Sequence, residues 1–431
     1  MNRVFEVRAS LDIANRVVVT GLGVTSPVGS GKETFWRNLL AGRSGIGPIT
    51  LFDASALSVR IGGEVRDMDT ASLFRHFPEA AEERDRKIPL GLAAMDEAIR
   101  DAGLDERDLR TASLHVGVGL EMFCLDDITP YAGAPDIAKA LAEAVLKNGD
   151  GRLLQTPLDR IADILGRRFG LRGGRWINCS ACAAGAQVIG DAFHLLREGS
   201  GEVALVGAAD SMLNPLGLGG FGLLRVLSNE NDTPERACRP FDAGRKGTVL
   251  GEGAGALVLE TLDHARRRGA NVYAEVLGYG ASMDAYRVSD PEPGGDGARL
   301  SMTAALADAR LEPAQVDCVN AHGTGTPKND VVETAAIKEV LGRRSREIPV
   351  HAVKSMTGHM IAASGAVEGV TAVLTVQRRA VPPTINLRCP DPQCDLDYVA
   401  EGAREFTGRT VLSNSFGFGG QNATLLFGRF T

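Results

Sequence analysis

Cys182 lies in the run N-C-S-A-C-A-A-G (residues 178–185), between a strand-like segment through Trp176 and Ile177 and a helix-like run ending near Gly199. A thiol at such a junction can serve as a nucleophile. Its Ala and Gly neighbours let a bulky thioester approach the sulfur, and the positive end of the helix favours the thiolate. The same residue could equally be a buried structural cysteine, since cysteine is among the most commonly buried types. Two histidines widen the chemistry. His322 sits in N-A-H-G-T-G-T-P-K-N-D, on a Gly/Thr turn after a predicted strand, where open α/β sheets place their sites. His359 sits in K-S-M-T-G-H-M-I-A-A-S-G, in a turn opening an Ala/Gly-rich helix. Taken alone, either histidine is more often a packing or capping residue. A fourth stretch, S-N-S-F-G-F-G-G-Q-N at 413–422, is a glycine loop presenting backbone N–H groups before a final strand.

Positioning these groups calls for an α/β frame. Apolar runs at 17–19, 114–118, 203–206, 256–259, 318–321 and 424–427 predict buried strands, and amphipathic spacing predicts helices at 33–41 and 91–104. The first strand is expected to end at Gly21 in a turn, with a Gly/Ser-rich loop over 23–31. That loop lacks the glycine spacing of a dinucleotide fingerprint, and Pro27 spoils a helix start, so it reads as a backbone turn. The chain also echoes itself. Met95, Ala98, Asp101, Ala102 and Leu104 recur 207 positions later as Met302, Ala305, Asp308, Ala309 and Leu311. A helix, a polar turn and a strand thus occur twice, which predicts a duplicated α/β architecture. Between 124 and 168, prolines and glycines interrupt two helical stretches, 137–146 and 158–168. This region reads as a surface excursion able to build a subunit interface or a substrate entrance.

Composition narrows the classes. At 44% hydrophobic and 23% charged the chain is globular, and with 5% aromatics a carbohydrate- or base-stacking surface is not expected. A formal charge of −7 offers no reason to expect nucleic acid or an acidic membrane as partner. The pairs Cys179/Cys182 and Cys389/Cys394 lack partner pairs for zinc, so no metal is expected, and seven cysteines in 431 residues make no disulfide framework. A reducing cytoplasm is the expected location. No run is long and apolar enough to span a membrane, and residues 1–15 read as a short extension without a signal-peptide core.

Taken together, N-x-S-A-C-A-A-G, N-A-H-G-T-x-T-P-x-N-D, K-S-M-T-G-H and S-N-S-F-G-F-G-G resemble, in order and spacing, the beta-ketoacyl-acyl carrier protein synthases of the thiolase superfamily. The likeness is to the elongating Cys-His-His enzymes of fatty acid and type II polyketide synthesis. It runs from about residue 16 to 427, supported by V-V-V-T-G-L-G-V-T-S-P-V-G at 17–29, P-L-G-L-G-G-F-G at 215–222, R-P-F-D at 239–242, L-G-E-G-A-G at 250–255 and V-P-P-T-I-N-L at 381–387. The resemblance implies a duplicated thiolase-like fold of five layers, αβαβα. The expected division is an extension at 1–15, an N-terminal half at 16–270 and a C-terminal half at 271–431.

The resemblance also implies roles. Cys182 would take an acyl group from a carrier-protein thioester, with the N–H groups of Cys182 and Phe418 as oxyanion hole. His322 and His359 would stabilise the enolate left by malonyl decarboxylation, with Lys354 acting electrostatically on them. As a purely structural residue, Lys354 could pair with Glu368. Thr324, Thr326 and Ser289 match pantetheine-binding hydroxyls, and Phe416 and Phe418 flank the acyl pocket. No bound cofactor is implied, because phosphopantetheine arrives on the acyl carrier protein. An acidic carrier needs a local basic patch, for which Arg84, Arg86, Lys87 and Arg225 are candidates. The assembly implied is a homodimer or a heterodimer with a chain-length factor.

Departures from the family pattern limit the substrate reading. Ser180 replaces the usual Thr before Ala-Cys, and Gly325 replaces a frequent Ser. The pocket-lining stretch is G-L-E-M-F-C-L-D-D, so Phe123 and Cys124 are expected to set acyl-chain length and the family's substrate cannot be carried over. Acyl transfer without condensation is the competing enzyme class, and a non-catalytic chain-length subunit the competing structural one. The presence of both histidines, of Lys354 and of Cys182 argues against each.

Overall fold

The structure, a computed structural model, describes residues 16–120, 133–147 and 156–431. The expected extension at 1–15 and the expected pocket residues Phe123 and Cys124 lie outside the described residues. The first half contributes strands β1 (Val17–Ser26), β2 (Ser113–Val118), β3 (Arg175–Asn178), β4 (Val203–Ser211) and β5 (Glu252–Thr261). The second contributes β6 (Ala274–Met283), β7 (Cys318–Asn320), β8 (Val350–His351), β9 (Thr410–Phe416) and β10 (Gln421–Gly428). They form one mixed sheet in the order β8-β7-β9-β10-β6-β1-β5-β4-β2-β3, with a short strand, Gly29–Ser30, hairpinned onto β1.

Both halves share one topology. In each, the strand order is third, second, fourth, fifth, first. The second strand pairs parallel with the third and fourth, while the fifth is antiparallel to both its neighbours. The halves join where Val17–Val19 pairs antiparallel with Ala274–Val276. Helices α1 (Lys87–Ala102), α2 (Ala184–Arg197), α3 (Asp296–Ala309), α4 (Pro327–Leu341) and α5 (Ser364–Arg378) complete the layers. α1 covers β1, β4 and β5 on one outside face, and α3, with α4 beside it, covers β6 and β10 on the other. α2 and α5 lie between the halves, touching each other and strands of both. Strands walled on two sides explain the continuous apolar runs. The result is the five-layer αβαβα arrangement.

The 207-residue echo marks equivalent elements, because α1 and α3 each precede the second strand of their half. Its small residues have a packing reason. A Cβ on Gly21 or Gly23 would lie 2.3 Å from the Ala98 carbonyl oxygen or 1.9 Å from that of Ala94. On Gly278 or Gly280 it would lie 2.6 Å from the Ala305 oxygen or 2.2 Å from that of Ser301. Each half therefore docks its outer helix backbone-close onto a Gly-x-Gly strand. This corrects the expected strand end at Gly21. β1 runs on to Ser26, and its glycines are there for helix approach rather than for a turn. Among the described residues no helix is long and apolar enough to cross a membrane.

Candidate active site

α2 and α5 open in the same way. Each is preceded by a single 3-10 turn, Ala181–Ala183 or Ile361–Ala363, whose first residue has a positive φ, 49° at Ala181 and 43° at Ile361. A non-glycine residue held there costs about 1–2 kcal/mol, so the surrounding packing must enforce the elbow. The first elbow is braced by Asn178, whose Oδ1 accepts from the N–H (2.9 Å) and hydroxyl (2.6 Å) of Ser180. Ser180 thus keeps the hydroxyl that the more usual threonine would supply.

The elbow points the Cys182 thiol into a cleft of about 370 Å³ that is also lined by His322, His359, Thr324, Thr326, Phe416, Phe418, Ser289 and Arg225. His359 Nε2 lies 3.1 Å from the Cys182 sulfur, and the two imidazoles meet edge to face with centroids 5.3 Å apart. The backbone N–H groups of Phe418 and of Cys182 itself both reach the sulfur. Gly417 makes that convergence possible, because a Cβ there would come within 3.2 Å of the amide nitrogens of Cys182 and Ala183. The ring of Phe418 packs against Phe221, centroids 5.9 Å apart. The glycine loop is tied to the opposite wall by Gly419 N–H donating to the Val288 carbonyl (2.7 Å) and Asn422 donating to Asp284 (2.6 Å).

Lys354 stands behind His322. Its ammonium, 3.2 Å from His322 Nδ1, also binds the Glu368 carboxylate. An ammonium can only donate, so His322 accepts at Nδ1 and carries its proton on Nε2, toward the cleft. Burial, Lys354 and His359 together hold the His322 pKa well below its ordinary value, and burial and Lys354 do the same for His359. Both rings are neutral N–H donors at physiological pH. Burial, despite Lys354, raises Glu368 to about 7.

The sulfur departs from expectation. Cys182 is 3% exposed, and burial pushes its thiol up to about 11 in spite of the Phe418 N–H and Lys354. Desolvation outweighs these favourable contacts, so the resting sulfur is a thiol.

Sequence reasoning missed three supports. Glu333, on α4, accepts the N–H groups of His322 (2.7 Å) and Gly323 (2.8 Å), and Asn414 donates to it at 3.2 Å. Asp210, at the end of β4, accepts the Ala362 N–H of the second elbow at 3.0 Å. Ser364, the first residue of α5, touches His359 Nδ1 at 3.0 Å. Ser364 lies in a quoted segment and the other two do not, and only the tertiary fold shows what each faces.

The expected carrier patch divides. Arg225 lies exposed at the cleft and Arg84 is exposed elsewhere. Lys87 is corrected: it is 1% exposed, its ammonium bound to Asp85 at 2.7 Å and to the Leu120 carbonyl at 3.0 Å, so it is closed to a surface partner. Arg86 is half-buried, with its guanidinium also bound to the buried Glu252 carboxylate.

Comparison with known proteins places the chain in a family. Residues 14–265 match the beta-ketoacyl synthase N-terminal domain, and 273–388 match its C-terminal domain. The 3-oxoacyl-[acyl-carrier-protein] synthase 2 of Synechocystis sp. is 41% identical over 420 residues, covering 96% of this chain and 98% of that protein. The ishigamide ketosynthase/chain length factor structure superposes with TM-score 0.85 at 35% identity, covering 97% of this chain and 100% of that one. AntDE:AntF, a type II PKS acyl-carrier protein in complex with its ketosynthase bound to the hexaketide, gives TM-score 0.82 at 31% identity over 97% and 100%. Matched in both domains and along nearly its whole length, the chain belongs to the beta-ketoacyl synthase family.

Proposed function

We propose that this chain is a beta-ketoacyl-acyl carrier protein synthase performing decarboxylative Claisen condensation between an acyl-enzyme and a malonyl thioester. One observation carries the reading. A single buried sulfur faces two neutral imidazole N–H donors and two backbone N–H groups in the same cleft. Transfer alone needs the backbone pair, whereas stabilising an enolate calls for the imidazoles as well.

In the first half-reaction Cys182 attacks the carrier-bound acyl thioester. The proton it gives up is matched by the one the departing pantetheine sulfur takes up, so the exchange consumes no net base. The N–H groups of Cys182 and Phe418 hold the tetrahedral oxyanion. In the second, malonyl thioester loses carbon dioxide, and the electron pair of the broken C–C bond becomes an enolate held by His322 and His359. The enolate carbon attacks the acyl carbonyl, the oxyanion forms and collapses, and the Cys182 thiolate leaves and takes up one proton. Two neutral donors suit this step because an imidazolium could protonate the enolate and end the reaction as simple decarboxylation. Thr324 and Thr326, whose hydroxyls lie 2.9 Å apart, would bind the pantetheine arm with Ser289, although Thr326 also caps α4. The chemistry requires no bound cofactor, the thioester being carried in on phosphopantetheine.

The partners follow from the cleft and the sheet edge. Arg225 at the mouth suits an acidic carrier protein. The outer edge of β3 pairs with nothing among the described residues. Trp176 on it is 45% exposed and stacks on His115 at 4.5 Å. Such an edge invites pairing, and a second copy of this chain is the occupant proposed. A reducing cytoplasm suits its free thiols.

The test is intact-protein mass spectrometry with acyl-carrier proteins, followed by malonyl-carrier protein. An adduct on Cys182 that clears with malonyl, yielding a ketoacyl carrier two carbons longer, is expected. An adduct that persists with malonyl but clears with another nucleophile would instead make this an acyltransferase.

A further inference from the structure

His322 has a charged donor on Nδ1, but His359 has none; its Nδ1 meets the hydroxyl of Ser364 at 3.0 Å. Two hydrogen-bonding senses are open to that pair. Either Ser364 donates to a bare Nδ1, or a protonated Nδ1 donates to the Ser364 oxygen. The surroundings choose between them. The Ser364 oxygen already accepts the Met360 N–H at 3.0 Å, and a backbone amide can only donate. No further hydrogen-bond partner of that oxygen is found among the described residues, and Ser364 is 1% exposed. If Nδ1 held the proton, the serine would accept twice and its own O–H would be buried without an acceptor, which is the expensive arrangement. If Nδ1 is bare, the Ser364 O–H and the Met360 N–H both have partners, and the Met360 N–H polarises the hydroxyl into a better donor.

We propose that Ser364 is a positioning residue that sets the tautomer of His359, keeping its proton on Nε2 and aimed at the Cys182 sulfur and the substrate oxygen beside it. The serine thereby does for one histidine, with a neutral hydroxyl, what Lys354 does for the other with an ammonium. The two Nε2–H groups present matched donors to a single developing charge. The use made of those donors rests on the condensing function proposed above, but the tautomer does not.

The proton position can be read directly. In enzyme carrying nitrogen-labelled histidine, the His359 signal is assigned by its loss in His359→Ala. Its imidazole nitrogen shifts are expected to report a bare Nδ1 and a protonated Nε2. Ser364→Ala is expected to move the population toward the Nδ1-protonated form, and Ser364→Thr to restore the original pattern. Malonyl-carrier decarboxylation should fall about tenfold in Ser364→Ala, the worth of one hydrogen bond in a buried site, and return in Ser364→Thr. A protonated Nδ1 in the unsubstituted enzyme, or the same tautomer in Ser364→Ala, would overturn the proposal. An intact tautomer in an enzyme that releases no carbon dioxide from malonyl carrier would leave the serine's role standing and remove the condensing function instead.

Discussion

A sulfur held as a thiol inside a preformed ring of donors has a testable signature. Because burial pushes Cys182 up to about 11, its alkylation by iodoacetamide in the carrier-free enzyme should still be accelerating between about pH 8 and pH 10. Peptide-resolved mass spectrometry checks this, and a plateau below pH 8 would show a preformed thiolate. Cys182→Ala should abolish the acyl adduct. His322→Ala should keep acylation within a few-fold yet cut release of carbon dioxide from malonyl carrier by about a hundredfold or more, the usual loss for one donor to a developing oxyanion. Asp210 gives a stability test. Burial, opposed by the Ala362 N–H and Lys87, raises it to about 7, against about 3.9 in an unfolded chain. Between those values the native state binds the extra proton, so this group's contribution to stability is lost as pH rises from about 4 to about 7. Asp210→Asn should therefore raise the urea midpoint at pH 8 and leave it nearly unchanged at pH 4. At this scale Cys182, His322, His359 and Lys354 are legible in the sequence because each lies in a contiguous motif of glycines and small residues. Glu333 and Ser364 are not. A buried carboxylate on a helix, or a serine at its start, looks like any other until the fold shows what it faces. The burial of Lys87 is hidden for the same reason, as lysine is normally exposed.

The elements hold the site by close approach. Gly417 lets the glycine loop lie against the first elbow, and Gly23 and Gly280 let α1 and α3 lie against β1 and β6. Gly23→Ala and Gly280→Ala should each cost about 2 kcal/mol or more in urea unfolding, since the clashing atoms are backbone and cannot rotate away. Gly219→Ala is the control. A Cβ there meets nothing within 4 Å, and the substitution should be neutral or slightly stabilising. Equal losses in all three would remove close packing as the explanation. The outer helices are legible as a 207-residue echo because packing on a Gly-x-Gly strand demands the same small residues twice. The full length of β1 is not, because Gly21 and Gly23 signal a turn locally while the approach of α1, about 70 residues later, is what they serve.

At the scale of the molecule, the edge of β3, unpaired among the described residues, predicts assembly. Light scattering should report a dimer, and Trp176→Arg should shift it toward monomer, with the Cys182 adduct as the check that the fold survives. A monomer in the unsubstituted protein would point to a different subunit as partner. The duplicated topology carries a further meaning at the two elbows. Counting from Ala181 and Ile361, the position of Cys182 is occupied in the second half by Ala362. Where the first elbow leaves its amide pointing at a reactive sulfur, the second has no nucleophile and its amide is stoppered by the Asp210 carboxylate. The carboxylate sits where an oxyanion would. The two elbows thus share one backbone turn and differ in what the amide of their second residue meets. Asp210 thereby turns the second elbow into a brace for the turn that carries His359.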